Sequence, residues 1–303
     1  MRKTRIAGAF AGIAIAALAL AGCNSGTPGA DPADPGEGEG DGTWFEVASE
    51  PVEVEGSDTV AAITERGKVK IGVKEDQPNL GYLDPTTGER SGFDVDIARW
   101  IAASLGYDED DIEYTAIDSA QREQSIINGD IDYYVGTYSI TDSRKEQIAF
   151  AGPYFVTGQG LLVAADNDTI TGKDSLTADM TVCSVTGSTS IQRIKDETPA
   201  NTEEFGKYSE CVEALKNGQV DAVTTDEAIL IGYAAQDPDN LKVAGEVFSE
   251  ERYGVGIQKG DTAFVDHVNT LFTDGGDIWQ AIFDKNLGAA GVEGEQPAVD
   301  PAG

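Results

Sequence analysis

Residues 127–150 read INGDIDYYVGTYSITDSRKEQIAF. Asn128 and Gly129 close a helical pattern, and Ile131, Tyr133 and Val135 then alternate as one face of a strand. The strand runs out into Thr137, Tyr138, Ser139 and Thr141, followed by Asp142, Ser143 and Arg144. Hydroxyls ending on an arginine suit a small anion, although a solvated turn uses the same residue types. The front of this stretch returns as KNGQVDAVTT at residues 216–225: helix end, Asn-Gly, one residue, Val, Asp, apolar strand, Thr. The echo is short, but it predicts two lobes built alike.

Working outward, strands and helices alternate between Val60 and Gly288. KVKIGVK puts Val69, Ile71 and Val73 on one strand face, and FDVDIARWIAASLG repeats Phe93, Ile97, Ile101 and Leu105 as a helix ended by Gly106. IEYTAI reads as a second strand, SAQREQSIINGD as a helix, and GPYFVTGQGLLVA as a long extended segment. MTVCSV, QVDAVTTD and the helical SECVEALKNG and EAILIGYAA repeat the plan. This order predicts an α/β fold with mostly parallel sheets, whose ligands sit beyond the carboxyl ends of the strands. The residues in those places are Lys74, Ser119 to Arg122, Thr137 to Arg144, Gly187 to Ser190, and Thr224 to Asp226.

The ends of the chain read differently. MRKTR followed by IAGAFAGIAIAALAL and then LAGC has the order of an export signal, too short and too early for a convincing membrane span. Small residues before Cys23 resemble a bacterial lipobox, in which residues 1–22 are removed and Cys23 carries lipid; the other reading is an ordinary secretory signal with a stray cysteine. Asn24 to Asp58 holds ten acids and no Lys or Arg, so residues 23–58 read as a lipidated cysteine and a disordered, self-repelling tether. Residues 291–303, GVEGEQPAVDPAG, read as a similar loose tail. The formal charge of −33 argues against nucleic-acid binding, because phosphates would be repelled. In an exported chain the remaining Cys183 and Cys211 are expected to pair.

Arg144 carries the planar fork that pairs with a carboxylate, and as a cation in a helix's first turn it opposes the helix dipole; the alternative is a surface arginine. Arg122 stands likewise at the start of a helix. Lys74 ends a strand, where an isolated lysine would more often be solvated. Ser188 and Thr189 lie in GSTS, which opens a helix with amides and hydroxyls toward an anion, or simply caps it. Asp226 could accept an ammonium or cap the next helix. His267, the sole histidine, is expected to face solvent. No metal constellation, nucleophile–base pair or phosphate loop is legible, so neither catalytic residues nor cofactors are expected.

Taken in order, GFDVDIARWIAASLG, INGDIDYYVGTYSITDSRKEQIAFAGPYFVTGQGLLV, CSVTGSTS, NGQVDAVTTDEAIL and ERYGVGIQKGD resemble the segments of bacterial family 3 extracellular solute-binding proteins, the amino-acid receptors of ATP-driven importers. Within the family the chain looks most like glutamate, aspartate and glutamine binders of Gram-positive actinobacteria. The resemblance implies a two-lobed type II periplasmic-binding-protein fold with crossover hinge strands near YFVTGQG and EERYGVG. It implies lobe 1 over 59–157 and 251–290, with lobe 2 over 158–250. By motif position, Arg144 with Ser188 and Thr189 would hold the α-carboxylate. The Thr137 carbonyl, Ser139 and Asp226 would hold the α-ammonium. Lys74, Arg122 and Tyr208 would meet the side chain; Lys74 and Tyr208 depart from the arginine and histidine of Gram-negative relatives.

The resemblance and the chain's export signal together imply a monomeric receptor, anchored to the outer face of the cell membrane through Cys23. It would bind a polar or acidic L-amino acid, glutamate first, and deliver it to an ABC permease. Glutamine, asparagine or aspartate preference, and a sensor role toward a membrane signalling partner, are the alternatives. An enzyme on the same fold would need a positioned catalytic carboxylate or a further domain.

Overall fold

A computed structural model of the chain describes residues 45–301. Two five-stranded sheets carry the fold. The first runs Ile112–Ala116, Val69–Val73, Tyr133–Tyr134, Glu251–Ile257, Ala149–Thr157. The second runs Asn201–Phe205, Thr181–Val185, Ala222–Asp226, Gln159–Ala164, Leu241–Ala244. In each, the first three strands are parallel and the last two join by antiparallel pairing. The sheets are therefore mixed rather than mostly parallel, since strands that cross between lobes enter the second sheet reversed. The two echoed segments hold the same place, third in order, in the two sheets. Tyr133–Tyr134 is a shorter strand than its alternation predicts; Val135 still donates to Gly72 O at 3.0 Å, and the chain turns away at Thr137, with φ 46°.

The chain passes between sheets at Gly158 and returns between Ala244 and Glu251. A Cβ on Gly158 would lie 2.5 Å from the Ser249 carbonyl, so only glycine lets the two crossings touch. The extended segment predicted across this point is thus two strands, one in each sheet.

Helix Phe93–Ser104 buries its apolar face on the first sheet, and Phe93 packs edge-on against Phe155, Trp279 and Phe283. Such a buried aromatic contributes about 3–5 kcal/mol against alanine. Cys183 and Cys211 are disulfide-bonded, with Cα atoms 5.6 Å apart, tying strand Thr181–Val185 to helix Tyr208–Lys216. A small three-stranded sheet, Asp76–Gln77, Gly81–Leu83 and Arg90–Ser91, was not legible in the sequence.

Both predicted loose segments are corrected where they are described. Phe45 is buried, and the amides of Ala48 and Val52 donate to the carbonyls of Ala103 and Leu105 at 2.9 and 3.0 Å. At the other end Val292 and Val299 pack on the core, and Asp300 takes Arg252 at 2.7 Å while its amide donates to Gly152 O at 2.7 Å. In each segment a few apolar residues among many acids find a groove, and composition averages them away. The export signal, Cys23 and the first part of the tether lie outside the described residues.

Candidate functional site

The carboxyl ends of the parallel strands converge on one cleft. Lys74 follows Val69–Val73, Ser119 lies past Ile112–Ala116, and Thr137 lies past Tyr133–Tyr134; Gly187 lies past Thr181–Val185 in the other sheet, and Asp226 ends Ala222–Asp226. Three cations gather here. Lys74 Nζ donates to Ile117 O and Ser119 Oγ, both at 3.0 Å. Arg122 donates to the carbonyls of Ser119 (3.0 Å), Thr137 (3.4 Å) and Gly187 (3.4 Å). Arg144 donates to Ser139 O at 2.6 Å, Gly187 O at 3.1 Å and Glu123 at 3.2 Å. The Gly187 carbonyl is thus shared by two guanidinium groups reaching across the cleft. A Cβ on Gly187 would sit 2.7 Å from Ala120 Cα, so the close approach needs glycine there.

All three cations are buried, and only Arg144 has a carboxylate in an ion pair. Burial, and then the neighbouring Arg122 charge, lower Lys74 to about 7. The same two causes lower Arg144 to about 10. Both guanidinium groups lie over the Tyr138 ring, 4.3 Å for Arg122 and 4.9 Å for Arg144, and its π-face attracts both.

Thr137 is held at φ 46°, an unusual conformation for a β-branched residue. Its amide donates to Asp94 at 2.9 Å, and its hydroxyl to Gln77 Oε1 at 3.2 Å. Asp94 also accepts from Tyr154 at 2.8 Å; burial lifts its carboxyl to about 6. These bonds over-determine the backbone and aim the Thr137 carbonyl at Arg122.

Asp226 takes the N-cap position of helix Glu227–Gln236 but makes no side-chain cap. It accepts from the Tyr253 hydroxyl at 2.7 Å instead, and its Oδ1 is buried with no partner. Burial, then the Glu251 charge, raise it to about 7. Ser188 caps helix Thr189–Glu197 by accepting from Ile191 N at 3.1 Å, and the Thr189 hydroxyl donates to Glu251 at 3.3 Å. Tyr208 is buried at the head of its helix; burial, then Asp226, push its phenol to about 12.

The structure therefore brings Lys74, Arg122, Thr137, Ser139 and Arg144 into one bonded cluster, with the loop Gly187–Thr189 against it. Asp94, Gln77 and Tyr253 escaped the sequence reading, which placed Tyr138 and Gly187 in candidate segments without giving them a role; a helical or strand pattern hides a polar group that points back into the fold. His267 is corrected: it is half-buried, 2.9 Å from Ser104 Oγ, and burial lowers its pKa. Among the described residues no group of three His, Cys, Asp or Glu could hold a metal.

A family model for bacterial extracellular solute-binding proteins, family 3, matches residues 69–288, the span that carries both sheets and the cleft. The chain belongs to this family. As a family 3 solute-binding protein it is 43% identical over 248 residues to a glutamate-binding protein, GluB, of Corynebacterium efficiens, covering 77% of this chain and 83% of that one. It is also 44% identical over 205 residues to a glutamine-binding protein of Geobacillus stearothermophilus, covering 67% of this chain and 78% of that one. Among solved structures, an ancestral arginine-binding protein bound to arginine superposes with a TM-score of 0.67 at 32% identity, over 73% of this chain and 98% of that one. A cysteine-binding protein from Campylobacter jejuni reaches 0.72 at 25% identity, over 82% of this chain and all, 100%, of that one. The two solved neighbours thus share the fold while their named ligands differ in side-chain charge, so the choice falls to the groups that line the cleft.

Proposed function

We propose that the protein is the extracytoplasmic receptor of an ABC importer for an acidic L-amino acid, L-glutamate before aspartate. The observation that carries this is the pair Lys74 and Arg122, two buried cations whose hydrogen bonds go only to neutral oxygens. A buried charge without a counter-charge costs several kcal/mol, and a side-chain carboxylate relieves both at once. Arg144 and the first-turn amides of helix Thr189–Glu197 suit the α-carboxylate. The unpartnered Asp226 Oδ1, with the Thr137 and Ser139 groups, suits the α-ammonium.

Glutamine is the second reading. Lys74 at about 7 can surrender its proton and leave a site closer to neutral, and named relatives bind glutamine. Calorimetric titration with the twenty amino acids at pH 6.5 tests the proposal: glutamate gives the tightest isotherm, and no heat with any acidic amino acid overturns it. The same reading has a monomer tethered by lipid at Cys23, handing its ligand to permease subunits. Mass spectrometry of the mature N-terminus from the native host tests the anchor, with an unmodified terminus counting against it.

A further inference from the structure

Helix Tyr208–Lys216 begins with a defect that its own lobe repairs only in part. Its N-cap residue is Lys207, which makes no side-chain cap; an ammonium offers no lone pair where Ser, Thr, Asp or Asn would accept from the first-turn amides. Glu210 folds back only as far as the amides of Gly206 and Lys207, at 3.1 and 3.0 Å. The Ser209 amide, one of the helix's unpaired donors, is satisfied by Asp76 Oδ2 at 3.0 Å. Asp76 belongs to the other lobe, on strand Asp76–Gln77, two residues beyond Lys74.

The contact is built up on both sides. Lys207 Nζ meets Glu75 at 2.5 Å, and the Tyr233 hydroxyl donates to the Asp76 carbonyl oxygen. Gly232 lets the chains close, because a Cβ there would lie 2.7 Å from Pro78 O. A carboxylate at this end also opposes the helix dipole favourably. The body of the helix is fixed to its own lobe through Cys211, and its first turn, next to Tyr208, is the part bonded to Asp76 of the other lobe.

We propose that Asp76 is an N-cap supplied in trans: the first-turn Ser209 amide of helix Tyr208–Lys216 is capped only when the lobes meet, and this contact, remote from the ligand, sets how long a bound amino acid is held. The proposal rests on the receptor reading above but not on which amino acid is bound. Opening the cleft must uncap the helix before ligand can leave, so the cap acts on dissociation. Association, which begins from separated lobes, changes little.

The test measures ligand dissociation by stopped-flow, using whichever amino acid the parent binds in the calorimetric screen. It also follows amide hydrogen exchange over residues 208–212. Asp76→Ala is expected to speed dissociation roughly five- to thirty-fold, the range of a lost cap, with association within about twofold. In the parent, ligand should protect the Ser209 amide; in Asp76→Ala it should not. Lys207→Ser gives the helix a cap of its own, and should protect that amide even without ligand. Dissociation within about twofold of the parent, or ligand protection of Ser209 persisting in Asp76→Ala, overturns the proposal. A parent that binds only a neutral amino acid defeats the glutamate reading and leaves this measurement intact.

Discussion

Asp226 and Tyr253 hydrogen-bond across the cleft at 2.7 Å, one on each sheet. The bond uses one carboxylate oxygen and leaves the other buried without a partner. A phenol that already satisfies half of the carboxylate fixes its direction, so the free oxygen is held ready for a donor.

Asp226→Asn should bind the amino acid at least a hundredfold more weakly, since a charge-assisted bond to the ammonium is lost and a donor is placed against a donor. The same change should stabilise the ligand-free protein. The folded Asp226 titrates near 7 and an unfolded one near 3.8, so its ionised form destabilises the fold, with a penalty that grows from pH 3.8 upward and is complete above about 7. Melting curves should show the variant more stable than the parent at pH 8 and no different near pH 4. A variant less stable at pH 8 contradicts this.

Lys74 should give the affinity for an anion an alkaline limit. With burial lowering its pKa to about 7, the ligand-free site should lose, above neutrality, a charge that favours an anion. Affinity for glutamate should fall by up to tenfold per pH unit from about 7 to 8.5, with proton uptake on binding. Lys74→Gln should bind more weakly at pH 6.5 and show no alkaline decline. Buffers of different ionisation heat read the proton directly in calorimetry; no uptake at pH 8 counts against the assignment.

Arg144→Lys should leave the fold intact and cost roughly 1.5–3 kcal/mol of binding, or about ten- to a hundredfold, because a point charge replaces a fork. Circular dichroism checks the fold and calorimetry the affinity. Unchanged affinity would place the α-carboxylate elsewhere.

Reduction of Cys183–Cys211 should lower stability by about 3–4 kcal/mol, the chain-entropy value for a loop of this length, the cysteines being 28 residues apart. Thiol titration of the denatured, unreduced protein should find neither cysteine free. Two reactive thiols would refute the bridge.

Much of the architecture was legible because it is written in periodicity. The helices at Phe93–Ser104, Tyr208–Lys216 and Glu227–Gln236 stand where their apolar spacing puts them. The cations were legible because they follow strand ends, where open α/β sheets gather their clefts, and Arg144 also closes a run of hydroxyls. What could not be read is what holds them. Asp94 sits on a helix whose spacing announces only Phe93 and Ile97, yet it fixes the Thr137 backbone from another element. The carbonyl of Gly187, shared by two arginines, is a backbone group and has no letter in the sequence. The order of residues 45–57 and 292–300 depends on a few apolar contacts that the surrounding acids conceal.

Arg122 tests the central claim most directly. Its guanidinium is bonded only to carbonyls, at 3.0, 3.4 and 3.4 Å, with no carboxylate in an ion pair. The measurement is the ratio of glutamate to glutamine affinity, by calorimetry at pH 6.5, in the parent and in Arg122→Gln. The parent should prefer glutamate by at least tenfold, and the substitution should shrink that preference by about tenfold or more, as expected for one unpaired buried charge. A parent that binds glutamine more tightly, or a preference that Arg122→Gln leaves untouched, would contradict an anion-selective cleft.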